Sequence, residues 1–272
     1  MYISVNGHLL SKEKAGISPL GEGLSYGYGV FETIKFHGDN LYFFKEHIER
    51  LKDGCDKISL QFNLEIDLLK KQCYALIQRN HLTTGVLKIS CIKNAEKKEV
   101  ILSTRENKYT SEDYKKGFKL CFTNIKRNPY SILTYIKSNN YMENFLVRQQ
   151  ALSNQYDEVV FTNVHGEICE GTLSNIFFVK DGILHTPSID CGILPGIMRQ
   201  KIIDVAVDAK LSVAVGKYTK EDIMMAEEIF ITNSLLEIMP ICQIQDKEID
   251  LQKNHITQKL IEYYNQYIDT LD

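Results

Sequence analysis

The chain has 272 residues, 44% of them hydrophobic and 25% charged, which is enough to bury a core in one large domain or two smaller ones. Its net charge of −3 comes from interspersed acidic and basic residues, so it offers no basic field for nucleic acid. No apolar run approaches the roughly 20 residues that span a bilayer, and the first residues lack an export signal. We therefore expect a globular, cytoplasmic protein that contacts neither nucleic acid nor membrane.

The cysteines and histidines do not follow the pattern of a metal site. There are seven of each, scattered along the chain, and neither CxxC nor HExxH spacing occurs. The sequence therefore predicts reduced thiols and no bound metal.

The first half of the chain is predicted to be an α+β domain. Its elements are a strand that turns at Asn6-Gly7, a hairpin at His37–Asn40, helices over Phe44–Ser59 and Ile66–Asn80, and strands over Gly85–Cys91 and Glu99–Ser103. The segment Glu106–Gly117 is polar without an apolar period, which is typical of a connection between domains. We predict a smaller domain over residues 1–110 and a larger one over residues 111–272.

The second half continues with strands and one informative helix. Its elements are a strand over Phe118–Thr123, a loop with Lys137, a helix over Tyr141–Ser153, and strands over Glu158–Thr162 and Ile176–Val179 that end in hairpin turns at Asn163–Gly166 and Lys180–Gly182. The helix is expected to direct Phe145, Leu146 and Leu152 toward a core. The turns place Glu170 at the end of a strand.

Lys137 and Glu170 are the candidate contacts of a pyridoxal phosphate (PLP) cofactor. A primary amine holds the aldehyde as a Schiff base, and a carboxylate beside the pyridine nitrogen keeps that nitrogen protonated. Neither residue is diagnostic alone, because loop lysines are usually solvated and a glutamate before glycine is usually a turn residue.

Three further segments suit a phosphate group. The amides of Gly196, Ile197 and Met198 precede an amphipathic stretch, and free N–H groups at a helix N-terminus favour an anion. Arg50 would add a bidentate fork from a predicted helix, and Thr232–Ser234 would add a hydroxyl and amides. Taken singly, each segment is better explained as an ordinary helix start, a surface charge or a polar strand end.

Six motifs in order resemble the fold-type IV PLP enzymes, the group of branched-chain aminotransferases, D-amino-acid aminotransferases and 4-amino-4-deoxychorismate lyases. These motifs span nearly the whole chain and are Gly27–Thr33, His47–Leu51, Ile136–Asn140, Glu170–Phe177, Gly192–Arg199 and Thr232–Pro240. The resemblance implies two α+β domains, the larger built on a mixed sheet or barrel with flanking helices. It also implies a homodimer in which the small domain closes on the site.

The resemblance implies a role for each matching residue. Lys137 would bind the cofactor aldehyde and later shuttle the substrate proton, and Glu170 would pair with the pyridinium nitrogen. The remaining cofactor contacts would be Arg50, Tyr141, Ser174, Asn175, Ile197, Met198, Asn233 and Ser234. Tyr141 could reach the ring oxygen or could equally be the first core residue of its helix.

Within the family, the segments Gly85–Lys88, Arg127–Pro129, Phe31–Thr33 and Asn233–Pro240 are similar to those of the lyases. The leading prediction is therefore cleavage of 4-amino-4-deoxychorismate to 4-aminobenzoate and pyruvate, a step toward folate. Tyr26, Phe31, Lys88 and Lys93 are the predicted substrate contacts.

One departure from the lyase pattern concerns the substrate carboxylate. Many lyases carry an arginine where this chain has Ile92–Lys98, so Lys88 or Lys93 would replace it as a point charge and not as a planar fork. The same segment lacks the Arg-x-His pair of D-amino-acid aminotransferases.

Two alternatives stay open. One is an aminotransferase for D-amino or branched-chain amino acids. The other is a protein of the PLP fold without turnover, which serves as a binding or regulatory subunit. A degenerate site usually loses the lysine or its carboxylate partner, whereas this chain retains Lys137 and Glu170.

Overall fold

The computed structural model describes residues 1–63 and 65–271. The chain divides into two compact units. The first unit consists of Met1–Lys108 and Ile136–Tyr141, and the second unit of Tyr109–Tyr135 and Met142–Asp272. Each unit combines a sheet with helices, so the predicted α+β class is confirmed.

The first unit contains a six-stranded antiparallel sheet with the strand order β2-β1-β6-β5-β3-β4. Its strands are β1 (Tyr2–Val5), β2 (His8–Ser11), β3 (Gly29–His37), β4 (Asn40–Leu41), β5 (Thr84–Asn94) and β6 (Lys97–Arg105). Its helices are α1 (Glu22–Ser25), α2 (Phe44–Lys57) and α3 (Ile66–Arg79). The predicted turn at Asn6-Gly7 and hairpin at His37–Asn40 are confirmed, with Asn6 and Gly7 both at positive φ.

Strand alternation gives this sheet two different faces. On β3, Val30, Ile34 and Phe36 are buried in one core with apolar residues of α2 and α3. Phe31, Thr33 and Lys35 lie on the opposite face and are only partly buried. The face away from the helices is therefore the one on which β3 and β5 can present chemistry.

The second unit contains a nine-stranded mixed sheet with the order β12-β11-β10-β13-β14-β7-β8-β9, and β15 pairs with β14. Its strands are β7 (Phe118–Arg127), β8 (Glu158–Asn163), β9 (Ile168–Gly171), β10 (Asn175–Lys180), β11 (Ile183–Pro187), β12 (Val213–Gly216), β13 (Glu228–Asn233), β14 (Glu237–Ile244) and β15 (Lys247–Glu248). Its helices are α4 (Ser111–Lys116), α5 (Met142–Ser153), α6 (Ile197–Asp208), α7 (Lys220–Met224) and α8 (His255–Asp269), with 3₁₀ turns at Ile132–Tyr135, Ile189–Cys191 and Leu251–Lys253.

The sheet of the second unit curls, so that the edge strand β9 comes close to β10 and β11. Strands β8, β10 and β13 are buried along almost their whole length. Their near-continuous apolar sequences are typical of strands covered on both faces. This curled mixed sheet confirms the predicted architecture of the larger domain.

Two local expectations needed correction. Helix α5 forms where predicted, but Phe145, Leu146 and Leu152 are 56%, 55% and 51% exposed and do not enter a core. The buried side of α5 carries the smaller Val147 and Ala151 instead. Helical spacing selects a face, and side-chain size does not tell which face is covered.

The polar segment before β7 contains a helix that the sequence analysis did not predict. Helix α4 has a capping box in which Thr110 and Asp113 bond each other's backbone amides. A capped turn can form without an apolar period, which is why the periodicity did not predict it.

Among the described residues, no helix is both long and apolar enough to cross a membrane.

Candidate active site

Lys137 lies in the short segment that pairs with β3 in the first unit. Phe31 N donates to Lys137 O over 2.9 Å, and Asn139 N donates to Gly29 O over 2.9 Å. These bonds fix the backbone of the lysine along the start of β3. The Lys137 ammonium then lies 4.8 Å from the centroid of the Phe31 ring and 5.7 Å from that of Tyr141.

Tyr141 packs against the same ring. Its ring meets Phe31 edge-on, with 5.5 Å between the centroids. Lys137, Phe31 and Tyr141 therefore form one cluster, in which two aromatic rings accommodate a cation. The structure thus brings three predicted site residues together within the first unit.

Arg50, the predicted phosphate ligand, makes a bidentate ion pair with Glu32. Arg50 Nε and Nη2 donate to the two oxygens of Glu32 over 2.7 and 2.8 Å, and His47 Nδ1 lies 2.7 Å from the same carboxylate. The Glu32 side chain is fully buried, and that of Arg50 is 15% exposed. Glu32 therefore fixes the orientation of the guanidinium.

Burial and pairing shift the titration of this cluster. Burial alone would raise the pKa of Glu32, but the attraction of Arg50 and His47 outweighs burial and holds that pKa below its ordinary 4.5. Burial lowers the pKa of His47 below 6.5 against the opposing pull of Glu32. The cluster is thus an ionised carboxylate between a guanidinium and a buried imidazole.

Neither Glu32 nor His47 was among the predicted site residues. Their signal was present, because His47 and Arg50 are three residues apart on α2 and so share a face. Glu32 occupies a core-facing position of β3, where a carboxylate needs a cationic partner.

Lys88 and Lys93, the two candidates for the substrate carboxylate, lie on different faces of the sheet. The Lys88 ammonium is 4.4 Å from the Phe31 ring centroid. The register of β5 with β6 is continuous from Val86 to Asn94, so alternation places Lys93 on the opposite face. Only Lys88 therefore shares the surface of Phe31 and Lys137.

Arg105 is a second cation near Lys88 that the sequence analysis did not select. Desolvation lowers the pKa of Lys88, and the charge of Arg105 lowers it further. Register pairs Val86 with Arg105 and Lys88 with Ser103, so both cations lie on one face. Tyr26, the remaining predicted substrate contact, is 73% exposed after α1.

Glu170 lies near the end of β9 in the second unit. Its Oε2 accepts from Asn175 Nδ2 over 3.3 Å and from Leu194 N over 3.0 Å. Asn175 Nδ2 also donates to Leu194 O over 3.2 Å. Asn175 and the chain before α6 therefore hold the Glu170 carboxylate.

The N-terminus of α6 is uncapped by any side chain of the described residues. Gly196 is its N-cap residue, and the first turn contains no acidic residue. A Cβ at Gly196 would overlap Asn175 Oδ1 and lie 2.9 Å from its Cγ. Glycine thus lets the backbone at the start of α6 lie close to the Asn175 side chain.

The other predicted contacts of the second unit have partners within the protein. The Ser174 hydroxyl donates to Glu158 over 3.3 Å. Asn233 donates to Leu173 O over 3.1 Å, and its Oδ1 accepts from the amides of Leu235 and Leu236 over 2.8 Å each. Asn233 therefore shapes the turn that carries Ser234.

The donor groups of the second unit fit a pyridine ring with a phosphate group. The helix end supplies free amides for an anion, and Glu170 supplies a fixed carboxylate for a protonated nitrogen. Thr232 pairs with Asn175 in register, and its buried hydroxyl has no partner among the described residues. Among those residues, no cluster of histidine, cysteine and acidic side chains could hold a metal ion.

Comparisons with known proteins agree with this geometry. The model of the class IV amino-transferase family matches residues 29–244. The aminodeoxychorismate lyase of Bacillus subtilis is 27% identical over 99% of this chain and 95% of its own length. The D-alanine aminotransferase of Staphylococcus epidermidis is 27% identical over 98% of both chains. The crystal structure of the Escherichia coli branched-chain amino acid aminotransferase superposes with a TM-score of 0.89, at 26% identity over 96% of this chain and 92% of that one.

Proposed function

The chain belongs to the class IV aminotransferase family, and from that premise we propose that it is a 4-amino-4-deoxychorismate lyase. The predicted resemblance to the fold-type IV enzymes is confirmed, and so is the PLP cofactor that members of this family use. The reaction would release 4-aminobenzoate and pyruvate, as a cytoplasmic step toward folate. The seven cysteines are free thiols, the form that a reducing compartment maintains.

The observation that carries the choice of reaction is the position of Lys88. Its ammonium and that of Lys137 lie 4.4 and 4.8 Å from the centroid of one ring, Phe31. 4-Amino-4-deoxychorismate has two carboxylates, and a face with Lys88 and Arg105 beside the reactive lysine suits a doubly charged anion. D-Alanine has only one carboxylate, so it would leave part of the positive charge of Lys88 and Arg105 without a partner.

The cofactor, when bound, accepts the electrons released at the substrate carbon that carries the amine. Lys137 would hold the cofactor through Nζ and, once released, move the proton at that carbon. Phe31 and Tyr141 would shield this amine from bulk water. Glu170 would keep the proton on the ring nitrogen through the carboxylate that Asn175 and Leu194 N hold in place.

The phosphate would be bound at the N-terminus of α6. The amides of Ile197 and Met198 would bind its oxygens, with the Thr232 hydroxyl and the turn at Ser234 beside them. Arg50, oriented by Glu32, would contribute its guanidinium.

We also propose that the enzyme is a homodimer. In the second unit, Tyr130, Ile132, Met142, Phe145 and Leu146 are each more than half exposed. Three of these side chains are on α5, Ile132 is on the 3₁₀ turn before it, and Tyr130 precedes that turn. Several exposed apolar side chains close together in the chain are typical of a surface that another chain covers. Met142, Phe145 and Leu146 are spaced i, i+3 and i+4 along α5, so they share one face of the helix.

An aminotransferase acting on D-amino or branched-chain amino acids is the second candidate. The D-alanine aminotransferase of Staphylococcus epidermidis is as similar in identity as the lyase of Bacillus subtilis. Both reactions would use Lys137, Glu170 and the phosphate contacts in the same roles.

The deciding experiment supplies enzymatically generated 4-amino-4-deoxychorismate and measures 4-aminobenzoate and pyruvate. A parallel reaction contains D-alanine and 2-oxoglutarate, and Lys137→Ala serves as the inactive control for both. Equal amounts of the two products without transamination would support the lyase. Transamination without 4-aminobenzoate would replace the lyase by the second candidate.

A further inference from the structure

Glu158, at the start of β8, has a fully enclosed carboxylate that binds the loop between Glu170 and Asn175. Its side chain is 1% exposed. Oε1 accepts from Val159 N over 2.9 Å, from Thr172 N over 3.1 Å and from the Thr172 hydroxyl in a short bond. Oε2 accepts from Leu173 N over 3.2 Å and from the Ser174 hydroxyl over 3.3 Å. Every one of these contacts is a donor to the carboxylate.

The residues that Glu158 binds are consecutive and occupy one short loop. Thr172, Leu173 and Ser174 connect β9 to β10, so Glu170 lies two residues before the loop and Asn175 directly after it. These flanking residues bond each other through Asn175 Nδ2 and Glu170 Oε2. The carboxylate of Glu158 therefore fixes the loop that joins Glu170 to Asn175.

Two neighbours make this arrangement possible. Arg148 on α5 forms an ion pair with Glu158 Oε2 over 3.2 Å, which offsets the cost of burying the charge. Gly171 leaves room for the carboxylate, because a Cβ there would lie 3.2 Å from Glu158 Cδ and would overlap the Ser174 hydroxyl. Asn144, also on α5, donates to Thr172 O over 2.6 Å and holds the other edge of the loop.

We propose that Glu158, supported by Arg148, is a positioning residue that sets the orientation of the Glu170 carboxylate toward the cofactor ring. The proposal rests on the role assigned to Glu170 under the proposed function and does not depend on whether the reaction is lyase or transaminase. No contact of Glu158 with substrate or cofactor is involved. Its action is transmitted by the loop Thr172–Ser174.

The physical reason is that an ionised carboxylate accepts hydrogen bonds only, and the backbone N–H groups of Thr172 and Leu173 can only donate. A glutamine at position 158 keeps the shape but replaces one oxygen by an amide nitrogen, which would face N–H and O–H donors. At least one backbone N–H group of the loop would lose its acceptor, and hydrogen bonds to a charged group are among the stronger ones. The Glu170 carboxylate would then sample orientations that contact the ring nitrogen less well.

The test compares Glu158→Gln with Glu143→Gln, using purified full-length protein. Glu143, on α5, is the matched control because it also pairs with an arginine, Arg127, but its side chain is 48% exposed. Hydrogen exchange of the loop amides is measured in the cofactor-free protein, and PLP affinity is measured by absorbance titration. Glu170→Gln provides the reference spectrum for a weakened contact to the ring nitrogen.

We expect Glu158→Gln to accelerate exchange at Thr172 and Leu173 and to weaken PLP binding by about tenfold or more, the effect of losing one hydrogen bond to a charged group. Its cofactor absorbance should shift in the same direction as that of Glu170→Gln, and Glu143→Gln should behave like the parent. A mere loss of stability would not move the cofactor spectrum of the folded fraction. Parental loop exchange and a parental cofactor spectrum in Glu158→Gln would overturn the proposal.

If Glu158→Gln is recovered unfolded, Thr172→Val carries the test. This substitution removes the Thr172 hydroxyl as a donor and keeps the ion pair between Glu158 and Arg148. A smaller shift of the cofactor spectrum in the same direction is therefore expected. An unchanged spectrum in that variant would count against the proposal. Because these readouts need no turnover, a shift in a protein without lyase activity would reject the lyase and leave the role of Glu158 intact.

Discussion

The cluster of Glu32, His47 and Arg50 is the most strongly determined feature at the residue scale. A carboxylate with no exposed surface is tolerated only when paired, and here both of its oxygens are used by Arg50 and His47. The ion pair between Glu32 and Arg50 therefore affects both stability and function, because the same guanidinium is the proposed phosphate ligand.

Glu32→Gln is expected to lower the free energy of unfolding by about 3 kcal/mol, since it leaves a largely buried guanidinium without its counter-charge. Urea unfolding followed by circular dichroism measures the change. Glu49→Gln on the exposed side of α2 is the control, as its ion pair with Lys45 is solvated and should contribute little. A loss below the uncertainty of the extrapolation would contradict the prediction.

The same cluster predicts how stability depends on pH. The pKa values of His47 and Glu32 lie below their ordinary 6.5 and 4.5 in the folded protein, so the unfolded chain binds these protons first as pH falls. The stability that these two groups contribute is present above their ordinary pKa values and is lost progressively as the pH falls below them. The difference in unfolding free energy between the parent and Glu32→Gln should therefore shrink as pH drops below 4.5. A constant difference from pH 7 to pH 3 would disagree with the assigned shift.

Lys88 and Lys93 offer a matched pair for the proposed carboxylate contact. They have the same charge and lie on the same strand, but alternation places them on opposite faces. Lys88→Ala should raise KM for 4-amino-4-deoxychorismate by about tenfold or more, the cost of one charge-assisted hydrogen bond, and Lys93→Ala should leave it unchanged. Steady-state kinetics of both variants checks this. A larger effect of Lys93→Ala would place the substrate on the other face.

At the scale of elements, the start of α6 depends on one close approach. Gly196 has φ −70, which any residue can adopt, so its requirement is one of space and not of backbone conformation. The atoms of Asn175 occupy the place where a Cβ would lie. Because Asn175 also contacts Glu170, the helix end and the carboxylate are held in a fixed arrangement.

Gly196→Ala should weaken PLP binding by about tenfold, because the added methyl displaces either Asn175 or the helix end. Gly16→Ala is the control, since nothing lies within 4 Å of its added Cβ. Titration of cofactor-free protein with PLP measures both. An affinity equal to that of the control would mean that the phosphate is not bound at this helix.

Helix α5 forms where predicted, but the side chains that were expected to face the core are exposed. The larger apolar residues Phe145, Leu146 and Leu152 are exposed, and the core contacts come from Val147 and Ala151. Two polar residues of α5 support the loop after Glu170: Asn144 donates to Thr172 O, and Arg148 pairs with Glu158, which binds that loop. The helix thus serves the candidate site through polar contacts.

At the scale of the whole molecule, the chain leaves the second unit for the first and returns within a few residues. Ile136–Tyr141 belongs to the first unit, although the residues before and after it belong to the second. The backbone bonds of this segment to β3 explain its membership. The lysine that defines the proposed chemistry is therefore fixed by the smaller unit.

The proposed homodimer makes a prediction at this scale. Phe145→Asp should raise the dimer dissociation constant by about tenfold or more, since a large aromatic residue at the centre of an interface contributes strongly to binding. Light scattering over a range of protein concentrations measures the mass. Leu68→Asp, at a 47% exposed position of the first unit, is the control. Equal dimer stability in both variants would place the interface elsewhere.

The sequence by itself determined most elements, the family and the cofactor that the family uses. The apolar pattern predicted β5, turn residues predicted the hairpins at Asn6-Gly7 and His37–Asn40, and six motifs in order indicated the family that the family model confirms. These are local properties or ordered patterns, so one chain is enough to reveal them.

Only the tertiary structure decided which side chains meet. It placed Lys88 and not Lys93 beside Phe31, paired Arg50 with Glu32, and brought Glu158 to the loop between Glu170 and Asn175. It also turned the large apolar side chains of α5 outward. Such contacts depend on which face of each element is covered and on residues distant in sequence, and the free energy of burial that selects them is a property of the packed chain.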